Sequence, residues 1–212
     1  MGTPLSKSSS LLILLIAALP FSVVAEEGEK SADEGTTQTA VFGAGCFWCV
    51  EAFYENLPGV VEVVSGYAGG EKPNPAYKEV AMGRTKHAEV VEVVYDPDVI
   101  SYRELVDFFW KTHDATDGRG VWPDFGPQYR STILYSDEEQ RADILVSKKA
   151  LEESGAIEGS VATVIEPLTE FYPAEDYHQD YVVKNPNDRY VRGVYRPKMK
   201  KLQQSGAYEI KE

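Results

Sequence analysis

The sequence predicts an α+β fold, a two-layer sandwich in which helices pack against a mixed, mainly antiparallel sheet. Segments typical of strands and helices are interleaved along the chain, but their spacing is irregular and lacks the uniform strand–helix alternation of a parallel sheet. No internal repeat is present, and two long stretches rich in glycine and proline separate the regular segments. These observations favour a single domain, which we expect to be a ferredoxin-like plait with long irregular loops.

The first half of the domain is predicted to contain three strands and one helix. An apolar segment at 39–43 predicts a buried strand, and apolar residues at helical spacing predict a helix over 46–56, which Pro58-Gly59 ends. The β-branched run Val60–Ser65 predicts the second strand. The stretch HAEVVEVVYDP, which starts at His87, is apolar on both faces and therefore predicts a central strand.

The second half is predicted to contain two helices and two strands around a long loop. Ser101 and Glu104 have the spacing of a capping box, which predicts the start of a helix that runs to Lys111. The loop DATDGRGVWPDFGPQ follows, and long loops inside a compact domain usually carry function. The remaining predicted elements are strands at 130–135 and 161–166, a helix at 137–154 and a helical turn at 174–181.

The N-terminal segment has the layout of a cleaved secretory signal peptide. Lys7 is followed by the apolar run Leu11–Leu19, and small residues precede a cleavage position after Ala25. An uncleaved membrane anchor is the alternative, but a spanning helix needs about 20 apolar residues, and Pro20 ends this run well short of that length. We therefore expect an exported protein, periplasmic or secreted, from which residues 1–25 are removed.

Composition divides the rest of the chain into a leader, a domain and a tail. Residues 26–38 are acidic and polar, with too few apolar side chains to offset the entropy lost on ordering, which predicts a disordered leader. Residues 39–195 form the predicted single catalytic domain, and residues 196–212 a basic C-terminal tail. The formal net charge is −13, so we expect neither nucleic acid nor an anionic membrane surface as a partner.

Both cysteines of the chain lie in one short stretch, GAGCFWCVE. A cysteine at the start of a helix meets unpaired N–H groups and the positive end of the dipole, so we expect a lowered pKa for Cys46. Cys49 lies on the same helical face, within reach of a disulfide after a small adjustment. This spacing favours redox chemistry over two alternatives: cysteines that are small buried hydrophobes, and a metal site, for which the three histidines lack paired spacing.

Five longer motifs follow one another along the chain: GCFWCVEAFYENLPGVVEVVSGYAGG, PNPAYKEV, TKHAEVVEVVYDP, DFGPQYRS and FYPAEDYHQDY. In order and spacing, this set resembles the A-type peptide methionine sulfoxide reductases. The resemblance covers nearly all of the chain from Val41 to Tyr181 and is more specific than a lone CxxC. It implies a repair enzyme for oxidative damage that reduces the S epimer of methionine sulfoxide, free or within proteins.

The resemblance also assigns the reacting groups. Cys46 matches the nucleophile that attacks the sulfoxide sulfur and becomes a sulfenic acid. Phe47 and Trp48 match the aromatic pair that holds the methyl group of the substrate. Glu89 matches the acid that protonates the sulfoxide oxygen, and burial among apolar neighbours would raise its pKa. The strand pattern alone does not distinguish Glu89 from Glu92, because both lie among valines; the resemblance selects Glu89.

Three polar residues match groups that surround the sulfoxide oxygen in the family: Tyr77, Asp124 and Tyr129. Hydroxyl donors there would stabilise the oxygen as charge develops. The alternative role for these three residues is to fix the geometry of the loops that contain them. Other residues of the motifs are expected to be supporting or structural: His87, Glu175, Asp176 and His178.

The chain departs from the family in its recycling cysteines. Many relatives have glycine at the position of Cys49 and carry recycling cysteines near the C-terminus, whereas residues 196–212 contain none. Cys49 is therefore the candidate resolving cysteine, and direct attack of an external thiol on oxidised Cys46 is the alternative. We expect no metal or organic cofactor, and a thioredoxin-like protein or another external thiol as reductant. Lys86 and the loop before Asp124 also differ from the common pattern, which leaves substrate preference open.

Two functions from other classes remain as rivals. A thioredoxin-like exported disulfide oxidoreductase also places a CxxC between a strand and a helix, but no proline-bearing loop opposite the pair is evident. An exported metal-binding or interaction module would take up metal stoichiometrically and would not turn over sulfoxide.

Overall fold

A computed structural model describes Met1, Gly2 and residues 36–206. The predicted signal peptide and most of the predicted leader lie outside the described residues. Within 36–206 the strands are β1 (Gln38–Ala44), β2 (Val60–Ala68), β3 (Ala88–Tyr95), β4 (Gly120–Val121), β5 (Asp124–Phe125), β6 (Ser131–Tyr135), β7 (Val164–Pro167) and β8 (Phe171–Pro173). The α-helices are α1 (Phe47–Tyr54), α2 (Tyr77–Ala81), α3 (Tyr102–Thr112), α4 (Glu138–Glu153), α5 (Tyr181–Lys184) and α6 (Arg196–Gln204). None of the described helices is both long and apolar enough to span a bilayer.

One sheet organises the described residues, with the strand order β7-β6-β1-β3-β2-β8. Neighbouring strands are antiparallel except for the parallel pair of β6 and β7. The succession β1-α1-β2-β3-α3-β6, with β3 paired between β1 and β2, is the β-α-β-β-α-β arrangement of a ferredoxin-like plait. The predicted α+β class and the central position of β3 are confirmed.

The larger core lies between α1, α3 and one face of the sheet. Phe42 of β1 stacks on Tyr54 of α1, with ring centroids 4.9 Å apart, and on Phe109 of α3 at 5.5 Å. The opposite face carries a smaller apolar cluster that includes Val41 and Val90. Because successive residues of a strand point to opposite faces, one face of β1 and β3 meets the helices and the other does not. This is the predicted two-layer packing.

The helix starts show which side chains serve as caps. Ser101 Oγ accepts a hydrogen bond from the Glu104 N–H at 3.2 Å, and Glu104 Oε2 accepts one from the Ser101 N–H at 2.9 Å, so the predicted capping box of α3 is confirmed. Asp137 caps α4 in the same way through the Gln140 N–H. Helix α1 is different: its N-cap is Cys46, whose side chain makes no capping hydrogen bond.

The long loop between α3 and β6 contains more regular structure than the sequence predicts. β4 and β5 pair as a short hairpin, with Val121 opposite Asp124, and a 3₁₀ turn at Pro127–Tyr129 follows. Two-residue strands are too short to produce a periodic pattern, which is why the sequence does not reveal them. The hairpin brings Asp124 and the end of the turn brings Tyr129 to the same side of the domain.

As far as residue 206 the basic C-terminal segment is helical and packs on the domain, whereas the sequence analysis sets residues 196–212 apart as a tail. A π-helical turn at Val191–Tyr195 leads directly into α6. Leu202 of α6 is buried in the main core, and Tyr195 stacks on Phe53 of α1 with centroids 5.5 Å apart. Composition suggested a solvated charge run because lysines dominate this stretch, but its apolar residues are spaced to form one buried face.

Candidate active site

Cys46 lies at the junction of β1 and α1. Gly45, immediately before it, has a φ of 85°, in the left-handed region that favours glycine. A Cβ added at Gly45 would lie 3.0 Å from the Cβ of Val121 in β4, tighter than nine in ten real Cβ contacts. The absence of a side chain therefore lets the chain turn sharply into α1 and lets β4 pack against the residue preceding the thiol.

The pKa of Cys46 is raised, so the sequence prediction of a lowered pKa is wrong. The side chain is 8% exposed, and burial is the largest cause of the rise in its pKa, followed by the negative charges of Glu89, Cys49 and Asp124. A hydrogen bond from the backbone of Trp48 acts in the opposite direction and is outweighed. Cys46 is therefore a neutral thiol before substrate binds.

Glu89 reaches this thiol from the middle strand of the sheet. In the β2–β3 pairing it lies opposite Tyr67, whose ring belongs to the helix-covered core. Glu92 lies opposite Val41, which belongs to the cluster on the other face. Strand alternation therefore separates the two carboxyls that the sequence pattern could not distinguish, and only Glu89 faces α1.

The carboxyl of Glu89 is poised to hold a proton at neutral pH. Its Oε2 accepts a hydrogen bond from the Phe47 N–H at 3.2 Å, at the first residue of α1. Burial raises the pKa of Glu89 to about 8, the Phe47 hydrogen bond lowers it, and the charge of Asp124 raises it further. The expected rise in pKa is confirmed, with burial as its main cause.

Aromatic side chains form a wall beside the thiol and the acid. Trp48 stacks on Tyr181 with ring centroids 3.6 Å apart. The rings of Phe47 and Tyr77 lie 5.0 and 4.4 Å from the ring of His178. A flat apolar surface of this kind suits a small uncharged group such as a methyl group.

His178 and Glu175 position this wall. His178 is 1% exposed, and its Nδ1 accepts a hydrogen bond from the indole Nε1–H of Trp48 at 3.1 Å, so its proton lies on Nε2. Burial lowers the pKa of His178, against the charge of Glu175, and the ring is neutral. Glu175 accepts hydrogen bonds from the Tyr67 hydroxyl at 2.9 Å and the Tyr77 N–H at 3.1 Å. The expected supporting role of both residues is therefore apparent in these bonds.

Tyr77, Tyr129 and Asp124 converge on the same centre from three separate elements. Burial is the first cause of a raised pKa for both tyrosines, and the charges of Glu89 and Cys46 raise their pKa further. Both phenols are therefore protonated at neutral pH and are available as hydrogen-bond donors. The charge of Asp124 acts in turn on Cys46 and Glu89, so the structure brings together the residues that the sequence selected.

Asp124 is held by a residue that the sequence analysis missed. The Tyr190 hydroxyl donates a hydrogen bond to Asp124 Oδ2, and the Tyr190 ring meets Trp48 edge-on with centroids 6.0 Å apart. Burial raises the pKa of Asp124, while the bond from Tyr190 and the charge of Lys198 lower it. Tyr190 belongs to the segment before α6, so the C-terminal part of the chain contributes to the site.

Cys49 lies one turn along α1 from Cys46. Its N–H donates a hydrogen bond to the Cys46 carbonyl at 3.1 Å, and both thiols are free. Cys49 is 2% exposed, and burial raises its pKa to about 12, against the charge of Lys198 and a contact with Tyr190. The predicted proximity of the two sulfurs follows from this single helical turn.

Two further residues that the sequence analysis named, His87 and Asp176, have structural roles. His87 lies in the loop between α2 and β3, where Nδ1 accepts from the Gly70 N–H at 3.1 Å and Nε2 donates to the Lys72 carbonyl at 2.8 Å. Asp176 begins the 3₁₀ turn that ends at His178. Across residues 36–206, no group of three or more His, Cys, Asp or Glu side chains is arranged to hold a metal ion.

Comparison with known proteins identifies the family. A family model described as peptide methionine sulfoxide reductase matches residues 38–210. The chain belongs to this family. A peptide methionine sulfoxide reductase MsrA of Natronomonas pharaonis is 46% identical over 174 residues, which cover 82% of this chain and 98% of the relative. Another, from Nautilia profundicola, is 50% identical over 162 residues, 76% of this chain and 92% of the relative.

A solved structure of similar sequence has the same fold. The crystal structure of Mxr1 from Saccharomyces cerevisiae in reduced form gives a TM-score of 0.66 at 37% identity, covering 74% of this chain and 90% of the other. As a peptide methionine sulfoxide reductase, this chain reduces methionine sulfoxide to methionine and serves protein repair. The resemblance found in the sequence is confirmed, and the thioredoxin-like alternative is not favoured.

Sequence reasoning missed three residues of this reductase site. Tyr181 is the last residue of a recognised motif, three positions after His178, and that spacing could have suggested a shared face. Tyr190 and Lys198 carry no comparable signal, because only the tertiary fold brings the C-terminal segment to α1.

Proposed function

We propose that this reductase acts on the S epimer of methionine sulfoxide, free and within polypeptides, with Cys46 as nucleophile and Glu89 as acid. One observation supports the proposal: the Phe47 N–H donates a hydrogen bond to Glu89 Oε2, so a buried, protonated carboxyl lies next to Cys46, the N-cap residue of α1. A sulfoxide oxygen leaves sulfur poorly as an oxide, so an acid at this position is what the reaction requires.

In the first half-reaction, the sulfur of Cys46 attacks the sulfoxide sulfur while Glu89 gives its proton to the sulfoxide oxygen. The Cys46 proton passes to the Glu89 carboxylate, which restores the acid. The sulfoxide S–O bond then breaks, and the hydroxyl group is transferred to Cys46. The bond between the two sulfurs breaks as well, so that methionine leaves in reduced form and Cys46 is oxidised to a sulfenic acid, and atoms and electrons balance.

The selectivity for one epimer follows from three different groups of side chains around the substrate sulfur, which fix the methyl group, the oxygen and the direction of attack. The aromatic wall of Phe47 and Trp48 accepts the methyl group, and the hydroxyls of Tyr77 and Tyr129 donate to the oxygen. Cys46 occupies the direction from which the sulfur is attacked. With methyl, oxygen and attack direction fixed, only one handedness leaves the peptide chain of the substrate pointing to solvent.

In the second half-reaction, Cys49 acts as the resolving cysteine. Its sulfur attacks the Cys46 sulfenic acid, forms a Cys46–Cys49 disulfide and releases the hydroxyl group as water. A thioredoxin-like dithiol protein then reduces the disulfide by thiol–disulfide exchange and is itself oxidised. The supporting observation is that both thiols are free and lie on one turn of α1.

The place of action is proposed to be outside the cytoplasm, periplasmic or secreted. The apolar run Leu11–Leu19 with small residues before the position after Ala25 supports export. N-terminal sequencing of the protein from its native host tests this, and a mature chain that still begins with residues 1–25 would contradict it.

An epimer-resolved assay tests the chemistry. Reduced protein is given each sulfoxide epimer with a thioredoxin system, and the methionine formed is measured beside the Cys46→Ser variant. We expect turnover of the S epimer alone, and its loss in the variant. Equal turnover of the R epimer, or activity that survives Cys46→Ser, would overturn the proposal.

A further inference from the structure

The resolving step requires a thiolate at a position that disfavours one. Cys49 is almost fully buried, and burial raises its pKa to about 12. The rate of attack on a sulfenic acid depends on the fraction of the attacking thiol that is ionised. A nearby cation would raise that fraction.

Helix α6 brings a lysine to the face that meets α1. Tyr195 stacks on Phe53 at 5.5 Å, and Leu202 is buried in the core. Lys198 is three residues after Tyr195 and four before Leu202, so it shares their inward face. Phe53 in turn is four residues after Cys49, on the same face of α1. The contact of Tyr195 with Phe53 therefore directs Lys198, one turn further along, toward the turn that carries the resolving thiol.

The surroundings of Lys198 agree with this placement. Its side chain is half-buried, whereas Lys200 and Lys201 on the same helix are exposed. Its charge lowers the pKa of three groups on three different elements: Cys49 on α1, Asp124 on β5 and His113 at the end of α3. Only a position between these elements reaches all three.

Lys198 has no ion-pair partner among the described residues. Its charge acts on Asp124, but the two groups are not within ion-pair distance. A thiolate beside a cation is favoured by their mutual attraction.

Tyr190 is the other polar group close to Cys49, but it cannot replace the lysine. A phenol has a single O–H proton, and the Tyr190 hydroxyl donates it to Asp124 Oδ2. A hydrogen bond between Tyr190 and Cys49 also lowers the pKa of that thiol, but less than the charge of Lys198 does. Lys198 is therefore the stronger of the two influences that stabilise negative charge on the resolving sulfur.

We propose that Lys198 is a positioning residue for the resolving step, which its ammonium promotes by stabilising the Cys49 thiolate. The inference rests on the proposed role of Cys49. In the step, Cys49 loses its proton, the S–S bond to Cys46 forms, the S–O bond of the sulfenic acid breaks, and the hydroxyl group leaves with that proton as water. Residues 196–212 contain no cysteine, so the C-terminal segment contributes the positive charge of Lys198, rather than a thiol, to the recycling of Cys46.

The test separates the two half-reactions in a single turnover. Reduced full-length protein is mixed with an equimolar amount of methionine S-sulfoxide, quenched on the millisecond scale with acid, and alkylated. Methionine and the Cys46–Cys49 disulfide are then quantified separately by mass spectrometry. The variants are Lys198→Met, which removes the charge, Lys198→Arg, which retains it, and Lys200→Met, which removes an exposed charge from the same helix.

We expect disulfide closure in Lys198→Met to be slower by about threefold at neutral pH, because a rise of about one pKa unit reduces the thiolate fraction tenfold while the more basic thiolate is more nucleophilic. Lys198→Arg and Lys200→Met should close at nearly the wild-type rate. The pH profile of closure should move to higher pH in Lys198→Met alone. The titratable groups that face Cys49 in this profile are Cys46, Glu89, Asp124, Tyr190 and Tyr195.

The outcomes distinguish this inference from the proposed function. Wild-type protein that releases no methionine, or releases it without forming the disulfide, overturns the proposed function. Wild-type protein that does both, beside a Lys198→Met variant with unchanged closure, overturns the role of Lys198 alone. Equal slowing in all three variants also overturns it, because the effect would not depend on charge at position 198.

Discussion

The two cysteines lie on the same turn of one helix, but the charge of a lysine acts on only one of them. Cys46 faces Glu89 of the sheet and Asp124 of the hairpin, and their charges disfavour its thiolate. Cys49 also feels these two carboxyls, but the charge of Lys198 acts on it more strongly than either and favours its thiolate. Burial is the largest cause of a raised pKa for both thiols, and the contrast between them is the cation beside Cys49.

This contrast indicates that the two half-reactions need different protonation states. Attack on a neutral sulfoxide needs a proton for the leaving oxygen, and the Cys46 side keeps its protons until substrate arrives. Closure of a disulfide needs an anionic sulfur, and the Cys49 side carries the cation. The sheet and the C-terminal segment therefore prepare the two thiols for successive tasks.

The largest expected effect is on the acid. Glu89→Gln keeps the size of the side chain and an acceptor for the Phe47 N–H but has no acidic proton. We expect methionine formation in a single turnover to fall by about a hundredfold, since general acid catalysis typically contributes 10²–10⁴. Glu92→Gln, which removes a carboxyl from the other face of the same strand, provides the control. Methionine formation near the wild-type rate would remove the acid role from Glu89.

The pH dependence should differ in sign between the two half-reactions. The acid form of Glu89, whose pKa is about 8, is present below that pH and is lost above it, so methionine formation should fall about tenfold per pH unit above pH 8. Cys49 has a pKa of about 12 and gains thiolate as pH rises, so closure should accelerate over the same range. Quenched single turnovers between pH 6 and about 10 measure both rates. Two profiles of the same sign would erase the contrast.

A smaller effect is expected at Tyr190, which links the C-terminal segment to Asp124 on the Cys46 side. Tyr190→Phe keeps the ring against Trp48 but removes the hydrogen bond to Asp124, whose pKa should rise. The loss of one such bond, about 1 kcal/mol, should lower kcat/KM for the sulfoxide by about fivefold. Tyr195→Phe, a neighbour that contacts Phe53 instead, is the matched control. An equal loss in the control would show that the segment as a whole, not the bond, is responsible.

The smallest effect is expected on the other face of the sheet. Glu92→Gln should change methionine formation by less than about twofold, because Glu92 points away from α1 and surface-type charges contribute little at a distance. The assay is the one used for Glu89→Gln, so the two values can be compared directly. A loss of similar size in both variants would mean that strand alternation does not separate the two carboxyls.

Local patterns predicted much of this molecule. The capping box at Ser101, the central strand at 88–95 and the shared turn of Cys46 and Cys49 each follow from spacing, and each is present. The motifs also selected Glu89, which strand alternation then places on the helix-covered face. These features depend on a few residues close in sequence, which is why the sequence reveals them.

The features that escaped prediction depend on distant parts of the chain. The position of Cys46 at a helix N-terminus suggested a lowered pKa. Burial of the thiol, to which the hairpin around Val121 contributes, and the charges of Glu89 and Asp124 raise its pKa instead. Lys198 was assigned to a solvated run because composition does not reveal which lysine faces the core. Burial and long-range charge are properties of the assembled fold, and no local pattern records them.

The placement of both sulfurs on the first turn of α1 has a consequence for the catalytic cycle. A recycling cysteine on a remote segment must travel to the oxidised one, so that segment has to detach and redock in every cycle. With Cys49 as the proposed resolving cysteine, the oxidised and reduced enzymes would differ by the repacking of a single turn. We therefore expect the rate of turnover to be limited by proton transfer and by reaction with the reductant rather than by a large rearrangement of the backbone.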